Sequence, residues 1–265
     1  MTTSHQQDTR PVIVVTGGGR GIGEGVARLM AEKGYQVAII DRDAHVGINV
    51  ANKINTGGGK SAFYQADVSN SAQVNDAFIR IVADFGRIDA LSCNAGIQRY
   101  GTVESTTEEG WDEVLDVNLK SMFLCSKAAV PHLKETKGSI VIMSSVQGYA
   151  TQKNVLAYTT SKHALVGFVR AMALDLAEFG VRVNGVAPGS VRTPMLEHTV
   201  SMDANPDKLW KVLDNMHPLG RIGTPREIAE VVAFLASPAS SFVTGSMIIA
   251  DGGLLLPIAG SPKED

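Results

Sequence analysis

The chain has 265 residues, with 24 Lys and Arg against 27 Asp and Glu, for a net charge of −3. That length suits one large α/β domain, and 44% apolar with 19% charged residues excludes wholesale disorder. So mild a charge excludes a nucleic-acid binder driven by a basic surface; no apolar run approaches the length of a membrane span, and two cysteines make no disulfide framework.

Residues 1–10 are polar and lack the apolar stretch of a signal peptide, so they are expected to form a flexible tail. The β-branched run at 11–15 predicts a strand buried on both faces. A glycine-rich turn follows, and Ile22, Val26, Leu29 and Met30 then recur at helical spacing up to Gly34. The alternation continues with strands at 37–40, 61–66 and 88–93, and with helices at 43–55 and 71–85. In the second half the pattern predicts helices at 111–134, 157–179 and 225–236 and strands at 139–143, 181–187 and 245–249. Between 193 and 217 it loosens around Pro194 and Pro206, as a substrate lid would. About seven strands with helices between them imply a doubly wound, Rossmann-type α/β fold: a seven-stranded parallel sheet with helices on both faces, in one domain over 11–253. Residues 254–265 are expected to be a C-terminal tail. Cys93 and Cys125 fall in apolar segments and read as buried thiols of a reducing, cytoplasmic compartment.

The turn Thr16-Gly17-Gly18-Gly19-Arg20-Gly21-Ile22-Gly23 lies between the first strand and the first helix. Glycine lets a backbone approach a pyrophosphate closely, and a helix N-terminus directs free N–H groups at the negative charge. Asp41 directly follows the second strand, where a carboxylate can accept from both adenosine-ribose hydroxyls and repel a 2′-phosphate. The same residue could be a solvated loop acid or a helix cap. Arg20 and Arg42 oppose it, since guanidinium groups there could bind a phosphate. The acid favours NAD over NADP.

A second signal is polar side chains where apolar ones belong. Tyr158 and Lys162 share one helix stripe with Leu165, Val169, Met172 and Leu176. A lysine on a buried stripe is costly without partners, unless it snorkels outward at a helix end. A nearby ammonium would also pull the phenol of Tyr158 down from its reference pKa of about 10, as a general base requires. Asn118 sits on another apolar stripe and would either brace a distorted helix turn or hold a water near Lys162. Ser144 and Ser145 end a strand at the carboxyl edge, where open α/β sheets bind ligands; serine is also a common turn residue.

The combination Thr-Gly-x-x-x-Gly-x-Gly, Cys93-Asn94-Ala95-Gly96, Asn118, Ser145, Tyr158-x-x-x-Lys162 and Pro188-Gly189 resembles the classical short-chain dehydrogenases/reductases over residues 11–253. Cys93 departs from it, standing where that family usually has a second Asn. The resemblance implies that Gly17, Gly21 and Gly23 form a cofactor turn and that Asp41 selects NAD. It implies that Asp67 and Val68 contact the adenine, that Asn94, Ala95 and Gly96 steady the sheet beside the cofactor, and that Pro188, Gly189, Val191 and Thr193 hold the nicotinamide carboxamide. Asn118, Ser145, Tyr158 and Lys162 would be the catalytic set. Ser145 is preferred to Ser144 because it precedes Tyr158 by 13 residues, the family's usual spacing.

Residues near the reacting carbon are expected among Gln98, Arg99, Gln147, Gln152, Asn154, His198 and Trp210. Their donors and acceptors suit a polyhydroxylated substrate, a sugar or polyol, although loops are polar in any case. Arg99 could instead meet an anionic group. The alternatives are an NADPH-dependent 3-oxoacyl or other carbonyl reductase, and a non-catalytic dinucleotide-binding scaffold. The six histidines form no zinc-binding spacing, so no metal is expected. No nucleic-acid or membrane partner is expected, and the resemblance implies a homotetramer.

Overall fold

The computed structural model describes residues 8–257; of the tails expected at 1–10 and 254–265, residues 1–7 and 258–265 lie outside the described residues. Seven parallel strands form one sheet in the order β3-β2-β1-β4-β5-β6-β7. They are β1 (Val12–Thr16), β2 (Gln36–Asp41), β3 (Lys60–Gln65), β4 (Ala90–Cys93), β5 (Ser139–Met143), β6 (Arg182–Pro188) and β7 (Met247–Ala250). The strand order reverses between β1 and β4, where Ile13 pairs with Ala90 and Thr16 with Cys93. Helices that leave neighbouring strands toward opposite faces open a crevice at that point, beyond the carboxyl ends of the strands.

Strands β1, β2, β4 and β5 are buried at every residue and mostly apolar, because both sheet faces are covered. Val12 and Val14 of β1 join a core with α3 (Ser71–Phe85), α5 (Ser121–Thr136) and α6 (Leu156–Leu176). Ile13 and Val15 point the other way, into a core with α1 (Gly21–Glu32), α2 (Ala44–Thr56) and α9 (Pro225–Ala236). Full burial of each such Val or Ile side chain is worth roughly 1.5–3 kcal/mol relative to exposure. β2 and β5 divide their residues in the same alternating way.

Two expectations need correction. The helix expected at 111–134 is α4 (Glu108–Leu115), a π-helical turn at Asp116–Lys120, and then α5. The π turn occurs where Asn118 reaches across to the main chain of Ile97, an interaction that local spacing does not reveal. The loosened stretch at 193–217 contains two regular helices, α7 (Pro194–Ser201) and α8 (Pro206–Asn215). Each has its proline in the first turn and a capping residue just before it, Thr193 accepting from Leu196 N–H and Asn205 from Lys208 N–H.

Candidate active site

The glycine turn is as tight as its composition suggests. Gly17 has φ +61°, and a Cβ there would lie 2.8 Å from the Cα of Ala95. A Cβ on Gly23 would lie 2.1 Å from the carbonyl oxygen of Gly17. Only hydrogen fits at either position, so the backbone from 17 to 23 wraps the start of α1 and leaves its N-terminus accessible. Gly21 opens α1 and packs against Thr193.

Asp41 ends β2 and is 9% exposed. Its two carboxylate oxygens accept from Gly19 N–H at 3.0 Å and Asp43 N–H at 3.1 Å, so the acid braces the glycine turn from the β2 side. The Arg20 guanidinium pairs with Asp43, which also caps α2. Arg42 stands near Asp67, whose carboxyl is held below its ordinary value first by the Ser69 hydroxyl and also by that guanidinium. Three carboxylates, Asp41, Asp43 and Asp67, thus face two guanidiniums at this end.

A cleft of about 540 Å³ runs along the carboxyl edge of the sheet. Gly17, Arg20, Ile22 and Gly23 line it from the turn; Asp41, Arg42, Asp67 and Val68 line it beyond β2 and β3. Asn94, Ala95 and Gly96 line it beyond β4, and Thr193 from the start of α7. Ala66, Ile97, Val117, Met143, Pro194 and Met195 also line it and were not anticipated. Met143 was legible in principle as the last residue of a strand at that edge. Pro188, Gly189 and Val191 do not line the cleft: Pro188 ends β6, Gly189 N–H donates to Ala250 O at 3.1 Å, and Val191 bridges Gly223.

Asn118, Ser145 and Tyr158 stand outside the cleft lining, as does Lys162 of α6, which is 4% exposed. Its Nζ donates to Met143 O at 2.9 Å and lies 5.5 Å from the centre of the Tyr158 ring. A Cβ on Gly96 would stand 3.4 Å from Asn118 Oδ1 and 3.7 Å from Lys162 Nζ, so these groups adjoin the cleft floor. Burial lowers the Lys162 pKa from 10.5 to about 8. The expectation of a phenol made acidic by Lys162 needs correction: burial pushes the half-buried Tyr158 above its ordinary value, and the neighbouring Ser145 hydroxyl is what pulls it back. The ammonium is engaged instead by the Met143 carbonyl, on the strand side of the helix.

The adjacent serines divide. Ser144 Oγ is buried and donates to Lys162 O at 3.0 Å, tying β5 to α6. Ser145 is the half-buried one beside the phenol, and its Oγ accepts from Gln147 N–H at 3.1 Å. Asn118, fully buried in the π turn, accepts from Ile97 N–H at 2.8 Å and donates to Ile97 O at 2.9 Å and Ser161 Oγ at 3.1 Å. Both its donors are engaged by protein, which is the bracing role.

The candidate substrate residues scatter. Arg99 and His198 line the cleft; Gln98, Gln147, Gln152, Asn154 and Trp210 do not. Arg99 is not free to meet an anion, because Glu113 pairs with it through two bonds of 2.9 and 2.8 Å. Gln147 is buried, with Oε1 accepting from Thr159 Oγ at 2.9 Å. Half-buried Gln98 offers its carbonyl to Arg99, exposed Gln152 offers its own to Thr151, and Asn154 takes φ +63° with its carbonyl on Gly101 N–H. Trp210 on α8 stacks against Arg192 at 4.3 Å. Cys93 and Cys125 are free and buried in one core. No described helix is long and apolar enough to cross a membrane, and no described cluster of His, Cys, Asp or Glu could hold a metal.

Comparison with known proteins bears on the family and the fold. Residues 17–255 match the family model described as enoyl-(acyl carrier protein) reductase. The chain is 38% identical over 243 residues to an uncharacterized oxidoreductase of Thermotoga maritima, covering 91% of this chain and 96% of that one. It is 38% identical to the 2,5-dichloro-2,5-cyclohexadiene-1,4-diol dehydrogenase of Sphingobium indicum, covering 91% and 95% of the two chains. Its fold superposes on ligand-free aldohexose dehydrogenase of Thermoplasma acidophilum with a TM-score of 0.88 and 34% identity, over 96% of this chain and 98% of that one.

Proposed function

This chain belongs to the short-chain dehydrogenase/reductase family and is an oxidoreductase acting on CH–OH donors, and we propose that it oxidises a secondary alcohol of a sugar or polyol with NAD. The family implies a nicotinamide dinucleotide. The cradle at Gly17 and Gly23, which a Cβ would fill, fits a pyrophosphate at the N-terminus of α1. Gly17, Gly21 and Gly23 would hold it, Asp41 the adenosine ribose, Asp67 and Val68 the adenine, and Pro188, Gly189, Val191 and Thr193 the nicotinamide end. When bound, the nicotinamide ring supplies the hydride acceptor.

In this reading Tyr158 takes the hydroxyl proton, and Ser145 holds the substrate oxygen while lowering the phenol's pKa. Lys162 fixes the inner wall and offers a cation to the nicotinamide ribose, and Asn118 braces the floor beside both. The observation that carries the reading is the ammonium of Lys162, buried one helical turn from Tyr158 and bonded to the carbonyl of Met143, which lines the cleft. A dinucleotide-binding scaffold has no use for so costly a group. Three carboxylates against two guanidiniums at the ribose end favour NAD over the dianionic 2′-phosphate of NADP. Arg42 on the cleft wall is the feature that favours the alternative, an NADPH-dependent carbonyl reductase.

Relatives named for a cyclic diol, an aldohexose and L-fucose support a substrate with several hydroxyls, whereas one named for 2-(S)-hydroxypropyl-CoM favours a simple secondary alcohol. Reduction of NAD and of NADP measured with sugars, polyols and simple secondary alcohols tests the reading. Turnover is expected with NAD and a hydroxylated ring; no activity on any sugar or polyol overturns the substrate, and NADP preference overturns the cofactor.

A further inference from the structure

The motif His217-Pro218-Leu219-Gly220-Arg221 lies far from the catalytic set in sequence, yet His217 is 2% exposed. It stands just beyond the last turn of α8. Its Nδ1 lies 2.7 Å from Leu213 O, inside α8, and its Nε2 accepts from Ser190 N–H at 3.1 Å. One ring nitrogen faces a carbonyl and the other an amide N–H, so the proton belongs on Nδ1. A Cβ on Gly189 would come within 3.0 Å of Nε2 and 2.9 Å of Asp251 Cα, so glycine is what admits the ring to this turn.

The other ties on the turn run main chain to main chain. Gly189 N–H donates to Ala250 O at 3.1 Å, Gly223 N–H to Ser190 O at 2.8 Å, and Arg192 N–H to Gly223 O at 2.9 Å. Among the described residues, His217 supplies the one side-chain bond to the main chain of 188–192. It is also the direct hydrogen-bonded link between that turn and α8, the helix that follows α7, whose Pro194, Met195 and His198 line the cleft.

We propose that His217 is a positioning residue whose imidazole joins helix α8 to the Gly189–Ser190 turn, holding the lid and the nicotinamide end of the cofactor site in one register. This rests on the reading that Pro188 to Thr193 hold the nicotinamide. Two substitutions separate the ring's two bonds. In His217→Gln the amide end reaches the Nε2 position and can accept from Ser190; in His217→Asn it reaches only the Nδ1 position and serves Leu213, leaving Ser190 N–H without a partner.

The test is titration calorimetry of the purified protein with NAD and with ADP-ribose, which shares everything except the nicotinamide. His217→Asn is expected to weaken NAD about tenfold while changing ADP-ribose less than about twofold; His217→Gln is expected to bind both as wild type does. Wild-type NAD affinity in His217→Asn, equal weakening of both ligands, or loss of NAD discrimination in His217→Gln overturns the proposal. His217→Gln keeps the test usable should His217→Asn not fold. Thr193→Val is the control for the underlying reading. If it too leaves the NAD to ADP-ribose ratio unchanged, the nicotinamide assignment falls and takes the proposal with it; if it alone changes the ratio, only the role of His217 falls.

Discussion

The Lys162 ammonium bonds the Met143 carbonyl at 2.9 Å, which anchors α6 to the end of β5 through a charge with almost no exposure. The pKa lowered to about 8 means that the native state resists protonating this group between about 8 and the ordinary value of 10.5. The unfolded chain binds the proton over that interval, so the group's contribution to stability rises with pH through it, by at most about 1.4 kcal/mol per pH unit. Below pH 8 the buried charge is a net cost. Lys162→Met is therefore expected to melt above wild type at pH 7 and to lose that advantage as pH rises from 8 toward 10.5, while losing turnover. The unpaired Met143 carbonyl lowers the variant equally at every pH, so a melting difference constant with pH contradicts the assignment.

Tyr158→Phe removes one oxygen from a half-buried position and is expected to fold and to bind NAD. Turnover should fall by about 10²-fold or more, the scale for loss of an acid–base group. Stopped-flow and calorimetric measurements on one preparation separate the two effects, and near wild-type turnover refutes the role.

Ser145→Ala makes a prediction in pH. Burial raises the Tyr158 phenol and the Ser145 hydroxyl lowers it, so removing the hydroxyl leaves the raising effect unopposed. Oxidation needs the phenolate, and the limb of kcat/KM that climbs with pH should move to higher pH in the variant. An unmoved limb would assign the serine to substrate contact alone.

Asp41→Asn tests cofactor choice. Removing one negative charge from the ribose end should raise the ratio of NADP to NAD efficiency by about tenfold or more. The amide keeps one of the acceptors that brace Gly19 and Asp43, so the melting temperature should move little beside that ratio. An unchanged ratio would make Asp41 a brace for the turn and nothing more.

The two thiols provide a check on the core. Burial pushes Cys125 up to about 12 and Cys93 well above its ordinary value, and both are sealed from solvent. A thiol reagent should find neither in the native protein and both after denaturation. Rapid reaction of the native protein would place one of them at the surface.

The central strands were legible because parallel strands covered on both faces are largely apolar, and runs such as Val12–Val15 and Val37–Ile40 have few other uses. The cleft residues at Gly17, Asp41 and Asn94 followed from their places at strand ends. What stayed hidden depends on contacts distant in sequence. The break in the long helix comes from Asn118 bonding Ile97, 21 residues away. The engagement of Arg99 by Glu113 needs α4 folded beside the loop after β4. Helices α7 and α8 are readable from Thr193-Pro194 and Asn205-Pro206, each a cap before a first-turn proline, although the same prolines loosen the apolar pattern. His217 carried no signal, since a buried histidine between two main-chain partners looks like any other in sequence.

The π turn at Asp116–Lys120 gives the helix one residue more than regular winding would hold. Excising a single residue there would restore ordinary winding and leave α4 in phase with α5, because the slower winding of the π turn already absorbs one residue's rotation. Glu113 would stay beside Arg99, while the amide that clasps Ile97 would lose the widened turn that aims it. The surplus residue thus works as a local widening: it lets one continuous helix present a core stripe at its far end and a properly aimed asparagine at the site.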